Sequence, residues 1–180
     1  MTILDIFSGD HSINGKFASL VKKYSTTPDK EADVWKISFE NDESQVLKLF
    51  SSYIECIYTA AAIGLKNGHR YSEHEDGATN SGDKANILSS AWRNWQNNFV
   101  ELYRLMVLVD PSLNLSHEER LKKICGDFTE DQIAAEYKYF MSYAFGGLLD
   151  LDKDLSEIHD CSGLANFVSR AFSEIDDEED

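Results

Sequence analysis

Proline, glycine and long apolar runs are scarce in this 180-residue chain, which contains two prolines and ten glycines. So few backbone breakers argue against a loop-rich or low-complexity protein. Apolar runs are interrupted within about ten residues, whereas a helix that crosses a bilayer needs roughly 20. The first residues lack the basic and continuous apolar segments of a secretory signal. We therefore expect a cytoplasmic protein without membrane spans.

Cysteine is also scarce, and Cys56, Cys125 and Cys161 are far apart and odd in number. This usage favours buried thiols in a reducing compartment over disulfides. The chain also lacks a Gly-rich phosphate loop, a Gly-x-Ser-x-Gly nucleophile motif, a Cys-x-x-Cys pair and a dinucleotide fingerprint. We therefore predict no catalytic residue, no cofactor and no bound metal.

Basic residues are scarce as well: the chain has 17 basic and 32 acidic residues, which gives a net charge of -15. Such a chain is repelled by DNA and by anionic membranes, which disfavours direct nucleic-acid binding. The acidity is typical of a solubilising surface. It is also compatible with a surface that binds a basic partner or imitates nucleic acid. Residues 173–180 carry part of this charge and are expected to form a disordered tail.

The apolar content, 42% of residues with 12% aromatic, is sufficient for one core. Apolar periodicity predicts a mainly α single domain over residues 1–172, a bundle of five or six helices. The predicted helices span residues 12–24, 43–67, 84–109, 117–126, 130–147 and 156–175. Residues 34–39 alternate between apolar and polar side chains, which predicts one short strand or an extended segment lying across helices.

Several predicted helices have recognisable ends. Ser116 and Thr129 begin capping boxes with the acceptor residues three positions later. Asp110-Pro111 ends the 84–109 helix. Within this helix, Trp92, Trp95 and Phe99 form a stripe typical of a core or an interface rather than of base stacking. The whole predicted buried face consists of Leu88, Ala91, Trp92, Trp95, Phe99, Leu102, Met106 and Val109.

The boundary after residue 65 is the most distinctive stretch. Small residues, including Gly64, precede it and allow a second helix to approach closely. Gly68 is placed as the left-handed residue that ends the helix. Lys66, His69 and Arg70 then lie near the negative end of the helix dipole, where cations are favoured. These three residues are the candidate binding residues, since Arg70 could also anchor a partner's carboxylate or phosphate.

Two acidic stretches contain residue types that bind metals in other proteins. Asp150, Asp152 and Asp154 match the first positions of an EF-hand loop, but Leu155 replaces its glycine and Cys161 its closing glutamate. This stretch is therefore interpreted as a solvated acidic linker at a helix start.

A second group contains histidines and carboxylates in a tract without helical pattern, which favours a mobile loop over a metal site. Its members are His69, Glu73, His74, Glu75 and Asp76. In the triplet 159–161, neighbouring helical side chains diverge too far to form a catalytic dyad, so Cys161 is interpreted as a small core residue.

The segment "FSSYIECIYTAAAIGLKNGHR" resembles a signature of small bacterial Dnd system-associated proteins. In that group an alanine-rich helix is followed by Gly-hydrophobic-Lys-x-Gly and a basic pair. The matching residues are Ala61, Ala62, Gly64, Lys66, Gly68, His69 and Arg70. The later block "YFMSYAFGGLLDL" is similar to the group's aromatic-rich helix, which closes on Gly146-Gly147-Leu148. The group usually has two arginines where this chain has His69 and Arg70.

The resemblance implies a place in bacterial phage-defence or DNA-phosphorothioation gene neighbourhoods, and it implies no catalytic residues. The first hypothesis is a non-catalytic accessory or regulatory protein that acts through protein–protein contacts, with homo-oligomers possible. The alternative is an acidic mimic of DNA that occupies a partner's DNA-binding surface. The third is a metal-dependent enzyme that uses the tract from residue 69 to 76.

Overall fold

The computed structural model describes residues 1–25, 49–72, 82–158 and 160–176. Within these ranges the chain forms six α-helices and one two-stranded antiparallel sheet, which confirms the mainly α prediction. The strands are β1 (His11–Asn14) and β2 (Lys84–Ile87), and the helices are α1 (Lys16–Ser25), α2 (Tyr53–Lys66), α3 (Ser89–Val109), α4 (His117–Cys125), α5 (Glu130–Ser156) and α6 (Cys161–Asp176). Short 3₁₀ helices span Ile3–Phe7 and Pro111–Leu113.

The sheet joins two segments that the sequence assigned to helices. Ile13 pairs with Ala85, and both are buried, while the flanking strand residues alternate with them. The helices predicted from residues 12 and 84 therefore begin later, at Lys16 and Ser89. Gly15, with φ at +67°, separates β1 from α1. The strand predicted at 34–39 lies outside the described residues.

Helix α2 also begins later than predicted. Ser52 caps it by accepting a hydrogen bond from the backbone N–H of Glu55, so the first helical residue is Tyr53 rather than Glu43. Phe50 precedes the helix in an irregular segment, and its N–H donates to the carbonyl oxygen of Tyr24 at 3.0 Å. Positions 43–48 lie outside the described part of the chain.

Helix α5 does not end at Gly146-Gly147, as predicted, but continues to Ser156. It therefore includes the acidic stretch that was expected to be a linker. The next helix begins at Cys161 rather than Ser156, and it ends at Asp176, four residues beyond the predicted domain boundary at 172.

The core contains a cluster of large aromatic rings from the 3₁₀ segment, α3 and α5. Phe7, Trp92, Phe99 and Phe140 are fully buried. Ring centroids lie 4.9 Å apart for both Trp92–Phe99 and Phe7–Phe140, within the range of favourable aromatic pairs. The predicted core role of Trp92 and Phe99 is confirmed, and Trp95 is half-buried.

Both predicted capping boxes are present. Ser116 with Glu119 begins α4, and Thr129 with Gln132 begins α5. Each box satisfies backbone donors that a helix start leaves without partners.

A buried carboxylate holds these helices to α3. Glu136 accepts a hydrogen bond from the Tyr103 hydroxyl at 2.8 Å and pairs with Lys123. Three helices therefore meet at one charged group, because Tyr103 belongs to α3, Lys123 to α4 and Glu136 to α5.

The three cysteines are free. Cys56 is buried, and burial raises the pKa of its thiol to about 12. Cys125 and Cys161 are exposed, so the prediction of buried thiols is wrong for both, and Cys161 is not a core residue. No helix in the described ranges is long and apolar enough to span a bilayer.

Candidate functional site

The end of α2 has the hydrogen bonds of a Schellman motif. The N–H of His69 donates to the carbonyl oxygen of Gly64 at 2.8 Å, and the N–H of Gly68 donates to that of Leu65 at 3.1 Å. Gly68 has φ at +63°, which confirms the predicted left-handed residue. The motif turns the chain sharply, so that the next two side chains point back towards the bundle.

Helices α2 and α5 touch backbone to backbone at their glycines. A Cβ added to Gly147 would lie 1.8 Å from the carbonyl oxygen of Ala60, and one added to Gly64 would lie 2.1 Å from that of Tyr143. At Gly146, an added Cβ would lie 2.2 Å from the carbonyl oxygen of His69. The glycines of the second block are therefore needed for helix packing and do not end α5.

His69 is held by an acidic side chain of α5. Its Nδ1 lies 2.8 Å from Oδ1 of Asp150, and the side-chain amide of Asn67 donates to the other carboxylate oxygen at 2.7 Å. Asp150 thus binds the turn after α2 through both oxygens.

Arg70 lies between α5 and the segment that follows α3. Its Nη1 donates to Ser112 Oγ at 2.8 Å and lies 3.4 Å from Oδ2 of Asp110. Its Nε lies 3.3 Å from Ser142 Oγ. Asp110 is only 3% exposed, and a buried carboxylate needs a partner of this kind.

Two tyrosines of α5 complete the surroundings of this pair. The Arg70 guanidinium carbon lies 4.9 Å from the ring centroid of Tyr139 and 5.5 Å from that of Tyr143, which are cation–π distances. The Tyr139 hydroxyl also donates to Asp110 at 3.0 Å.

The electrostatics follow from burial and hydrogen bonding. Burial alone would raise the pKa of Asp110, but hydrogen bonds from Ser112, Tyr143 and Tyr139 outweigh burial and leave that pKa below its usual value. Burial, followed by the hydrogen bond to Asp110, raises the pKa of Tyr143 to about 12. Burial likewise raises the pKa of Tyr139, so both tyrosines stay protonated and Asp110 stays charged across the neutral range.

The structure separates the three candidate binding residues. Lys66 is exposed on the last turn of α2. His69 and Arg70 instead use their polar atoms on Asp150 and Asp110. Asp110 and Asp150 were not identified from the sequence as partners. Two features of the sequence could have drawn attention to these partners: Asp110 directly precedes Pro111, and Asp150 follows shortly after the glycine pair Gly146-Gly147.

Metal-binding geometry is absent from the described ranges, where no three His, Cys, Asp or Glu side chains converge. Asp152 accepts hydrogen bonds from the Tyr24 hydroxyl and from Lys23, both at 2.6 Å, so Asp152 joins α5 to α1, while Asp150 binds the turn after α2. Of the tract that contained the alternative metal ligands, residues 73–76 lie outside the described part.

A second candidate is an exposed apolar surface on α3, called here the α3 face, which consists of Leu105, Leu108 and Val109. These residues are 48%, 39% and 53% exposed and share one side of the helix through spacings of three and four. Arg120 of α4 donates to the carbonyl oxygens of Val107 and Leu108, which holds α4 beside this end of α3. Val109 was predicted to be buried, and that prediction is wrong, as it is for Leu88, which is 60% exposed.

Comparison with known proteins identifies no relative: no protein-family model matches the chain, and no curated protein or solved structure shows significant similarity to it. The likeness to Dnd system-associated proteins therefore stays a prediction from two short motifs.

Proposed function

We propose that this protein is a non-catalytic accessory or regulatory component that binds a partner protein through the α3 face. The observation that carries the proposal is the exposure of Leu105, Leu108 and Val109 on one side of a helix whose other side is buried. Contiguous exposed apolar surface is a common property of protein-binding sites.

The charged groups support contact rather than chemistry. The Arg70–Asp110 and His69–Asp150 pairs join different segments of the bundle through Arg70 Nη1 and His69 Nδ1. Catalytic groups instead converge on a space that a substrate can occupy. Asp110, Glu136 and Asp150 act as internal partners, so these three carboxylates do not belong to the outward bands of charge that a DNA mimic needs.

The partner's chemistry follows from the charge of the chain. At a net charge of -15, the protein attracts partners whose surfaces are basic. A complementary site would combine an apolar groove for the leucines with lysines or arginines at its rim. The resemblance to Dnd system-associated proteins supports a partner encoded in a phage-defence or DNA-modification gene neighbourhood.

The experiment is co-expression of the affinity-tagged full chain with the products of its flanking genes, followed by quantification of what is retained. The double variant Leu105→Glu/Leu108→Glu is expected to reduce retention of the partner at least about tenfold, because apolar anchors dominate interfaces. Leu88→Glu is the matched control, since Leu88 is an exposed leucine at the other end of α3.

Retention that is lost with the double variant and kept with Leu88→Glu supports the proposal. Equal retention for both variants contradicts the α3 face as the contact. If no flanking product is retained even by the wild-type chain, the assignment to a partner from the same neighbourhood is wrong.

A further inference from the structure

A half-open cleft of about 420 Å³ lies between β1 and α5, away from the α3 face. One wall is a single face of α5, formed by Lys138, Met141, Ser142 and Phe145 at spacings of three and four. The volume falls within the range of roughly 300–1,000 Å³ that small-molecule sites occupy.

The opposite wall and the base of the cleft are largely aromatic. Phe17 of α1 stacks on Phe145 with centroids 4.1 Å apart and planes 10° apart. Tyr71 meets Phe17 edge-on at 4.7 Å, and its N–H donates to the carbonyl oxygen of Ser142 at 2.9 Å. Phe17 therefore packs directly against Phe145 of the α5 wall, and the three rings give the cleft a largely aromatic, apolar lining.

Among the described residues, one cation lines the cleft, although the chain as a whole is acidic. Lys138 lines it, is exposed and forms no ion pair with the described residues. Lys16 Nζ lies 5.3 Å from the ring centroids of both Phe17 and Tyr71. None of the described residues that line the cleft is acidic. The positive charge of Lys138 complements an anion.

We propose that the cleft binds a small aromatic monoanion, such as an aromatic carboxylate or sulfonate. The aromatic part contacts the rings and Met141, and the anionic group is directed towards Lys138. Ser12 and Asn14 of β1 supply hydrogen-bonding groups at the opposite rim. This site is independent of the proposed protein contact, because it lies on different elements.

The test is a fluorescence titration of the full chain with two matched dyes. One is 8-anilinonaphthalene-1-sulfonate, and the other is N-phenyl-1-naphthylamine, which lacks the sulfonate. Lys138→Glu is expected to weaken binding of the sulfonate dye about tenfold and of the neutral dye less than about twofold, since only the charged dye loses an ion pair. Lys153→Glu is the charge-matched control, because this exposed residue lies about 22 Å further along α5.

A second variant tests whether the dyes bind inside the cleft. Ser12→Trp places a large side chain at the rim on a strand, where tryptophan is well tolerated, and is expected to abolish binding of both dyes without lowering the Tm. The proposal is overturned if no dye binds, or if Lys138→Glu and Lys153→Glu have equal effects. It is also overturned if Ser12→Trp leaves binding intact or if Leu105→Glu abolishes it, because the dye would then occupy another surface.

Discussion

The left-handed turn at Gly68 gives the simplest prediction at the scale of a residue. A Cβ at this position would meet no atom within 4 Å, so its cost is backbone strain alone. Gly68→Ala is expected to lower the free energy of unfolding by about 1 kcal/mol. Gly82→Ala is the control, since Gly82 has equal space and no positive φ. Chemical denaturation that shows the same loss for both variants would contradict the assignment.

Asp110 gives a pH-dependent prediction. Its pKa is lowered in the folded state, so its contribution to stability is present above the unfolded pKa of about 4 and disappears as the pH falls through the folded value. At pH 7, Asp110→Asn is expected to cost about 1–3 kcal/mol, because it leaves the hydrogen bonds of a buried charge incomplete.

The measurement is the free energy of unfolding in urea at several pH values. The difference between the wild-type chain and Asp110→Asn is expected to shrink below about pH 4. A difference that is independent of pH would show that the charge of Asp110 does not stabilise the fold.

At the scale of a residue, the sequence predicted those structural features that depend only on neighbouring positions in the chain. The caps at Ser116 and Thr129 and the turn at Gly68 depend on residues within a few positions, and all three predictions are confirmed. The pairs Arg70–Asp110 and His69–Asp150 join residues 40 and 81 positions apart. Only the packed bundle brings them together, so no local pattern could have revealed them.

At the scale of an element, the contact between α2 and α5 depends on Gly147. Gly147→Ala would gain about 1 kcal/mol of helix propensity, but its Cβ would lie 1.8 Å from the carbonyl oxygen of Ala60. The helices must separate to relieve this overlap, and we expect a net loss of about 3 kcal/mol in the free energy of unfolding.

The control for helix propensity is Ala135→Gly, an exposed site on α5, which is expected to cost about 1 kcal/mol. Thermal or urea unfolding measures both variants. A Gly147→Ala variant as stable as the wild-type chain would show that the helices do not approach as closely as described.

The glycine pair also shows why element boundaries were mispredicted. Two adjacent glycines normally indicate a helix end, but here backbone contact with α2 requires them inside α5. Similarly, Ile13 and Phe17 are four residues apart and fit helical spacing, although Ile13 belongs to β1. Strand pairing with residues 84–87 decides its conformation, and this pairing partner is distant in the sequence.

At the scale of the whole molecule, the sequence predicted the fold class, most of the core and part of the exposed surface. Leu105 and Leu108 lie outside the face of the 84–109 helix that was predicted to be buried, and both are exposed. Val109 was placed on that face but is 53% exposed, because burial at the end of a helix depends on which elements cover it and not on periodicity. The predicted site near His69 and Arg70 is instead used largely for packing.

We propose that the α3 face binds the partner while Arg70 stabilises the fold. The most direct test measures the Tm and the retention of the flanking gene product on the same preparations of wild type, Arg70→Ala and Leu108→Glu. We predict that Arg70→Ala lowers the Tm but retains the partner, because it breaks an internal pair. Leu108→Glu is expected to keep the Tm and lose the partner. The opposite pattern, with binding lost in a fully stable Arg70→Ala variant, would contradict the account.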